Sequence, residues 1–248
     1  MTVTFYFVRS ACRLACSGLQ QADALGAAFA CKSLNAIYAS PLKRAHSTAL
    51  ALAAGQPCPP PMTVLPDLRE QYFGIAEGKR FACSGVIDLQ REIFPVQRGR
   101  TDSFPEGESR DDVRARGERV LSDIFMRHIW EARGRRPGEV RVAVVSHGVC
   151  IAELVEAFLG RVPQFLRRDN CWFRGVHNTA FHELEVGLEE EMFGVADLLD
   201  GLPFDCHAPL DIKVQDVNNH WTPSENPAQS KITAYLAGNT RAIECDGP

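Results

Sequence analysis

The sequence predicts an α/β protein with a mostly parallel central sheet, helices on both faces and a small cap. Short apolar runs, rich in β-branched and aromatic residues, alternate with segments of helical periodicity along residues 1–187. This alternation is typical of parallel strands joined by crossover helices. It is interrupted between residues 67 and 108 by a stretch rich in glycine and proline. We therefore predict one domain over 1–187, with 67–108 as a cap or insertion, and a partly irregular C-terminal extension over 188–248.

The first part of the domain predicts three strands and two helices. Residues 3–8 are continuously apolar, as in a strand buried on both faces, and a helix over 18–31 follows. A second strand over 35–40 leads into a helix that Ser40 is placed to cap, and residues 63–68 suggest a third strand. The apolar residues at helical spacing in the first helix are Leu19, Ala22, Leu25 and Phe29.

Helical periodicity returns after the cap. Ser109 and Asp112 resemble a capping box at the start of a long helix. Residues 140–146 predict a second buried strand, residues 148–160 a helix, and residues 176–186 a late strand with alternating polarity. The apolar face of the long helix consists of Val113, Gly117, Val120, Leu121, Ile124, Phe125 and Ile129. Beyond about residue 187 these signals fade, and we expect the last forty residues to form a loosely packed tail.

Composition excludes several classes of function. The 248 residues are 45% hydrophobic, enough for one substantial core, and the net charge of -4 offers no basic face for nucleic acid. No apolar run approaches the roughly 18–20 residues of a membrane span, and we see no secretory signal. The nine cysteines are scattered without a CxxC pair, which favours free thiols and a cytoplasmic location. Cys206 and His207 lack further partners at ligand spacing, so we expect no metal and no cofactor.

Charged side chains collect at the carboxyl ends of the predicted strands. Arg9 ends the first strand, Arg44 lies in the first turn after the second, Glu70 follows the third, and His147 ends the strand at 140–146. Ligands of such sheets bind at this edge. Arginine forks and a helix start suit phosphate oxygens, and a carboxylate can move a leaving-group proton. Each residue alone also fits a solvated arginine or a structural histidine, but together they predict a site for a small phosphorylated molecule.

Six segments in the expected order resemble the histidine phosphatase superfamily, the phosphoglycerate mutase-like proteins, over residues 3–185. They are "FYFVR", "SGLQQADALGAAF", "IYASPLKRAHSTA", "LREQYFGIAEG", "FPEGES" and "VSHG". The resemblance implies that Arg9, Arg44 and His147 bind the phosphoryl group and that Glu70 is the general acid. The family's nucleophile is the histidine that follows the first arginine, and here Ser10 holds that position.

The chain also departs from the family beside this position. Only eight residues, 10–17, separate Arg9 from the start of the family's helix motif, where the family has a longer substrate-binding loop. The break is abrupt, and a real deletion and an artefact in the sequence both fit it. Loss of a nucleophile costs on the order of 10⁶ in the turnover of a serine protease. We therefore expect a phosphatase that binds phosphate and is catalytically impaired.

Other readings of the site remain open. Ser10 could act as a nucleophile with His147 as its base, and Cys12 is a thiol beside arginines, where its pKa falls. His46, two residues along the helix from Arg44, faces elsewhere. The alternative function is a non-catalytic pseudophosphatase that binds a phosphorylated ligand or a protein partner. Arg80, Arg98 and Arg100 could meet a second anionic group or lie solvated in the cap, and neither the substrate nor the oligomeric state follows from the sequence.

Overall fold

The computed structural model describes residues 2–11, 16–82, 93–133, 135–136, 138–162, 179–188, 205–208 and 210–215. Its strands are β1 (Thr2–Arg9), β2 (Ala36–Ala39), β3 (Met62–Val64), β4 (Arg80–Ala82), β5 (Ile93–Pro95), β6 (Val140–Ser146), β7 (Phe181–Leu188) and β8 (Leu210–Gln215). Its helices are α1 (Cys16–Phe29), α2 (Lys43–Ala54), α3 (Arg110–Val120), α4 (Met126–Glu131) and α5 (Gly148–Gly160).

Six strands form the main sheet, in the order β3-β2-β6-β1-β7-β8. The strands β3, β2, β6 and β1 run parallel to one another. β7 is antiparallel to both β1 and β8. The predicted, mostly parallel sheet is therefore confirmed. β6 lies between β1 and β2 in the sheet, although it begins about a hundred residues after β2 in the chain. This strand order builds the site described below.

Helices cover both faces of the sheet, as the alternation along β1 requires. Phe5 and Phe7 lie in a core cluster with residues of α3, α4 and α5. Tyr6 and Val8 face the other way and pack with residues of α1 and α2. Phe5 and Phe7 are fully buried, and burying a phenylalanine stabilises the fold by about 1.5–3 kcal/mol. Packing against helices on both faces of the sheet thus fixes the position of β1 and of the residues that follow it.

The boundaries of the first two helices differ from the prediction. α1 begins at Cys16, two residues earlier than expected, and Leu19 at its start is exposed rather than part of the core. α2 begins at Lys43 with Leu42 at the N-cap position and no side-chain cap. Ser40 is therefore not the cap of α2. The extended backbone of Leu42 delays the helix by two residues and leaves Ser40 at the end of β2.

The long helix after the cap is confirmed, with one irregularity. The Ser109 hydroxyl accepts the Asp112 N–H, and the Asp112 carboxylate accepts the Ser109 N–H, so the capping box is present. A π-helical turn over Leu121–Phe125 joins α3 to α4. Such a turn changes the phase of the helix, and Leu121 and Phe125 are both fully buried.

The described part of the cap contains a two-stranded parallel sheet of β4 and β5. Ala76, Phe94 of β5 and Phe104 form a small core of their own, with Phe73 packed against them. β3 is shorter than expected, because a 3₁₀ turn begins at Pro66. β8, which pairs with β7, falls in the tail that we expected to be loosely packed. The other predicted domain boundaries stay predictions.

Candidate active site

His147 lies between two serines because β6 lies between β1 and β2. Ser10 follows β1 and Ser40 follows β2. The Ser10 N–H donates to the Ser146 carbonyl at 2.9 Å, and the Ser40 N–H donates to the Val145 carbonyl at 2.9 Å. The backbone pairing of the sheet therefore continues one residue past the strands and brings both serines beside the histidine.

The imidazole of His147 has a partner on each nitrogen. Nδ1 accepts the Arg44 Nε–H at 3.1 Å and lies 3.3 Å from the Ser10 hydroxyl oxygen. Nε2 lies 2.8 Å from the Ser40 hydroxyl oxygen. Because a guanidinium only donates hydrogen bonds, Nδ1 must be unprotonated and Nε2 carries the proton. The Ser10 hydroxyl is thus placed to donate to Nδ1, and Nε2–H donates to Ser40.

The surroundings of His147 favour this neutral form. The side chain is 2% exposed. Its burial, followed by the positive charges of Arg44 and Arg9, lowers the pKa of His147 from 6.5 to about 3. Both causes disfavour the cation. At neutral pH the imidazole is uncharged and is a weak base for the Ser10 proton.

The Glu70 carboxylate lies against the first turn of α5, the helix that begins directly after His147. Its Oε1 accepts the backbone N–H groups of Gln71 at 3.1 Å, Val149 at 3.2 Å and Cys150 at 3.2 Å. Burial raises the pKa of Glu70, although these hydrogen bonds and the charges of Arg9 and Arg44 oppose the rise. A carboxyl group that keeps its proton to higher pH is suited to protonating a leaving group.

The two arginines reach the site from different elements. Arg44 is in the first turn of α2, and Arg9 is the last residue of β1. The Thr48 hydroxyl donates to the Arg44 carbonyl at 2.8 Å and accepts the Ala11 N–H at 3.2 Å. Thr48 therefore ties the segment after β1 to α2. Both arginine charges act on both His147 and Glu70.

The structure brings the five predicted residues to one edge of the sheet. Ser10 and Arg44 contact His147 directly, and Glu70 accepts the N–H groups at the start of α5. Arg9 ends β1, and its charge acts on both His147 and Glu70. Sequence reasoning missed the contact of Ser40 with the imidazole. Its position at the end of a strand was the signal, but we interpreted it as a helix cap.

The other candidate residues are placed differently. Cys12 lies outside the described residues. Arg100 is bound to the Glu153 and Asp111 carboxylates at 2.6 and 2.8 Å. Its side chain is 46% exposed, and a role for Arg100 toward a second anionic group stays a prediction. The side chains of Arg80 and Arg98 are exposed.

The cavities among the described residues include one beside the site and one away from it. A very small one, of about 10 Å³, lies beside Arg44 and is lined by residues of α1 and α2 together with Ala11. A larger one, of about 430 Å³, is lined by Tyr6, Lys32, Arg141 and Glu183 among others. It contains none of the candidate site residues, so cavity size does not identify the site in this fold.

Within the described ranges, no three His, Cys, Asp or Glu side chains are grouped closely enough to hold a metal ion. Across the same part of the chain, no helix combines the length and apolar character needed to cross a membrane.

Comparison with known proteins identifies relatives of this fold. Residues 6–193 match the histidine phosphatase superfamily, branch 1. "Putative phosphoserine phosphatase 2" of Hydrogenobacter thermophilus is 25% identical over 175 residues, which are 68% of this chain and 75% of that protein. Mycobacterial hydrolase 2 superposes with a TM-score of 0.63 at 20% identity, covering 96% of this chain and 100% of the other. Mycobacterial glucosyl-3-phosphoglycerate phosphatase superposes with a TM-score of 0.60 at 20% identity, covering 86% of this chain and 96% of the other.

Proposed function

This chain belongs to branch 1 of the histidine phosphatase superfamily, and we propose that it binds phosphomonoesters with little or no turnover. In this proposal Arg9, Arg44 and His147 hold the phosphoryl group and Glu70 is the proton donor. Ser10 occupies the position of the family's nucleophilic histidine. The observation that carries the proposal is the Ser10 hydroxyl, 3.3 Å from His147 Nδ1, where the attacking imidazole of the family is expected.

Phosphate binding does not depend on the nucleophile. Positioning and charge stabilisation dominate phosphoryl transfer, and two guanidiniums beside a helix start supply both. An arriving phosphate oxygen offers Arg44 a charged acceptor in place of the neutral Nδ1, and charge-assisted hydrogen bonds are the stronger ones. Arg44 is therefore able to exchange its present partner for the ligand.

Covalent turnover, unlike phosphate binding, requires an activated nucleophile. A serine hydroxyl needs a general base to attack phosphorus. The only base in contact with Ser10 among the described residues is His147 Nδ1, whose pKa of about 3 makes it a poor proton acceptor at neutral pH. Low affinity for the proton, rather than distance, is thus the obstacle to a Ser10 nucleophile.

The binding half of the proposal is tested by calorimetry with inorganic phosphate. Arg44→Ala removes a charge-assisted contact worth about 1.5–3 kcal/mol, so we expect affinity to fall by roughly 10- to 100-fold. Lys43→Ala is the matched control, because Lys43 is the exposed neighbour of Arg44 on α2. If Arg44→Ala and Lys43→Ala bind phosphate with equal affinity, the proposed phosphate site is wrong. The alternative function, a pseudophosphatase that binds a protein partner, then remains.

The catalytic half is tested by hydrolysis of an aryl phosphate. The unaltered chain is expected to be silent, and Ser10→His to gain activity together with a covalent phosphohistidine. Turnover by the unaltered chain that Arg44→Ala abolishes would contradict the proposed impairment. If Ser10→His is also silent, the shortened segment at 10–17 carries the defect as well.

A further inference from the structure

Arg116 places a buried guanidinium next to the segment that carries Glu70. The residue lies on α3 and is 6% exposed. Its Nε and Nη2 groups donate to the two carboxylate oxygens of Glu108 at 3.0 and 3.2 Å. Nη1 donates to the Asp67 carbonyl and to the Cys150 Sγ, the latter at 3.5 Å. One side chain therefore joins α3, α5 and the segment that precedes Glu70.

The same guanidinium also reaches the segment that follows Glu70, through Glu108. The Glu108 Oε2 accepts the Tyr72 N–H at 2.9 Å, and the Glu108 N–H donates to the Tyr72 carbonyl at 2.7 Å. Asp67 is three residues before Glu70 and Tyr72 is two residues after it. Arg116 thus fixes both ends of the short span in which Glu70 lies.

We propose that Arg116 is a positioning residue that holds the Glu70 carboxylate on the amino-terminal N–H groups of α5. The inference rests on the proposed function only in so far as Glu70 is taken as the proton donor. Four acceptor atoms, on three residues, lie in fixed directions around this group and match the planar fork of arginine and not the single ammonium of lysine. Cys150 supplies both the Sγ that faces Arg116 and an N–H that Glu70 accepts, so the two contacts share one turn of α5.

Arg119, one turn along the same helix face, provides a matched comparison. Its Nη2 donates to the Asp67 carboxylate at 3.1 Å, but its side chain is 58% exposed. It touches the side chain of Asp67 rather than the backbone, and exposed ion pairs are worth little. Replacement of Arg119 should leave Glu70 in place.

The test follows the backbone amide signals of Val149 and Cys150 by NMR as pH is varied, without any ligand. In the unaltered protein both signals shift when Glu70 titrates, and Glu70→Gln abolishes the shift and so assigns it. Arg116→Met is expected to lose this shift, because the carboxylate leaves the two N–H groups. Arg116→Lys keeps the charge without the fork and is expected to lose it as well, whereas Arg119→Met retains it.

Arg116→Met that folds and keeps the full shift would overturn the proposal. Should that variant fail to fold, Glu108→Gln takes its place, because a carboxamide has one acceptor oxygen and its NH2 group would face the Arg116 Nε–H, so the paired contact with the guanidinium is broken. Loss of the shift in Glu108→Gln supports the positioning role, and its retention overturns it. Since the titration uses no ligand, a protein that fails to bind phosphate contradicts the proposed function and leaves this result unaffected.

Discussion

The Ser10 hydroxyl lies 3.3 Å from Nδ1 of His147, the nitrogen that also accepts the Arg44 Nε–H at 3.1 Å. Nδ1 of His147 therefore has two hydrogen-bond donors, the charged guanidinium of Arg44 and the neutral hydroxyl of Ser10. This arrangement keeps His147 neutral and makes the hydroxyl dispensable for holding the ring.

Ser10→Ala should accordingly have a small effect. We expect the free energy of unfolding to fall by about 0.5–1.5 kcal/mol, the net worth of one neutral hydrogen bond. Phosphate affinity should stay within about threefold, since the hydroxyl carries no charge. Urea denaturation and calorimetry measure the two quantities. A large loss of phosphate binding would show that Ser10 contacts the ligand itself.

Ser40→Ala should have a larger effect on stability than Ser10→Ala. Ser40 is fully buried and is the acceptor for Nε2–H of His147 at 2.8 Å. Its removal leaves a buried donor unpaired, which costs about 1–3 kcal/mol. For a protein of this size we expect a fall in Tm of roughly 2–4 °C per kcal/mol.

Ser47→Ala is the control for that variant, because Ser47 lies within α2 and alanine has the higher helix propensity. In thermal unfolding, the Tm of Ser47→Ala should equal that of the unaltered protein or lie slightly above it. An equal fall in both variants would mean that the contact between Ser40 and His147 contributes nothing specific.

The pH dependence of stability follows from His147. Its pKa is about 3 in the fold and about 6.5 in the unfolded chain. Between these values the unfolded chain binds more protons, so stability falls as pH drops through this window. The difference from 6.5 to about 3, at about 1.36 kcal/mol per pH unit, corresponds to roughly 4–5 kcal/mol as an upper limit.

Urea denaturation at pH 7 and pH 5 measures this dependence. His147→Gln should flatten it, and His46→Gln on α2 should not. Glu70 acts in the opposite direction, because its raised pKa makes the folded state bind more protons above the ordinary value of 4.5. Glu70→Gln should therefore steepen the loss of stability on acidification. An unchanged slope in His147→Gln would contradict the neutral, buried histidine.

The packing of α1 on α2 depends on Gly26. A Cβ atom there would lie 2.4 Å from the Ala51 carbonyl oxygen, a backbone atom that cannot move aside. Gly26→Ala should therefore destabilise the protein, although alanine is favoured over glycine in a helix by about 1 kcal/mol. Gly117→Ala on α3 is the control, because its nearest contact would be an ordinary 3.6 Å. We expect it to be neutral or stabilising in denaturant titrations, and destabilisation of both would refute the specific contact.

Much of the fold could be predicted from the sequence. The apolar runs of β1 and β6 and the capping box of Ser109 are local signals, because burial on both faces and N-cap geometry depend on neighbouring residues. The start of α2 was predicted two residues too early, because the backbone of Leu42 is extended and its N–H donates to the Ser40 hydroxyl. β8 was missed although its six residues, LDIKVQ, alternate apolar and polar side chains as a half-buried strand does.

By itself the sequence determined which chemical groups the site contains. Arg9, Arg44, Glu70 and His147 end strands, follow strands or begin helices, and Ser10 directly follows Arg9. Only the tertiary structure decided which of these groups touch.

The insertion of β6 between β1 and β2 sets His147 between Ser10 and Ser40. No local pattern encodes that order, because strand order depends on which faces the crossover helices bury. The tautomer of His147, its neutrality and the hold of Arg116 on the Glu70 segment all follow from contacts between residues far apart in the chain.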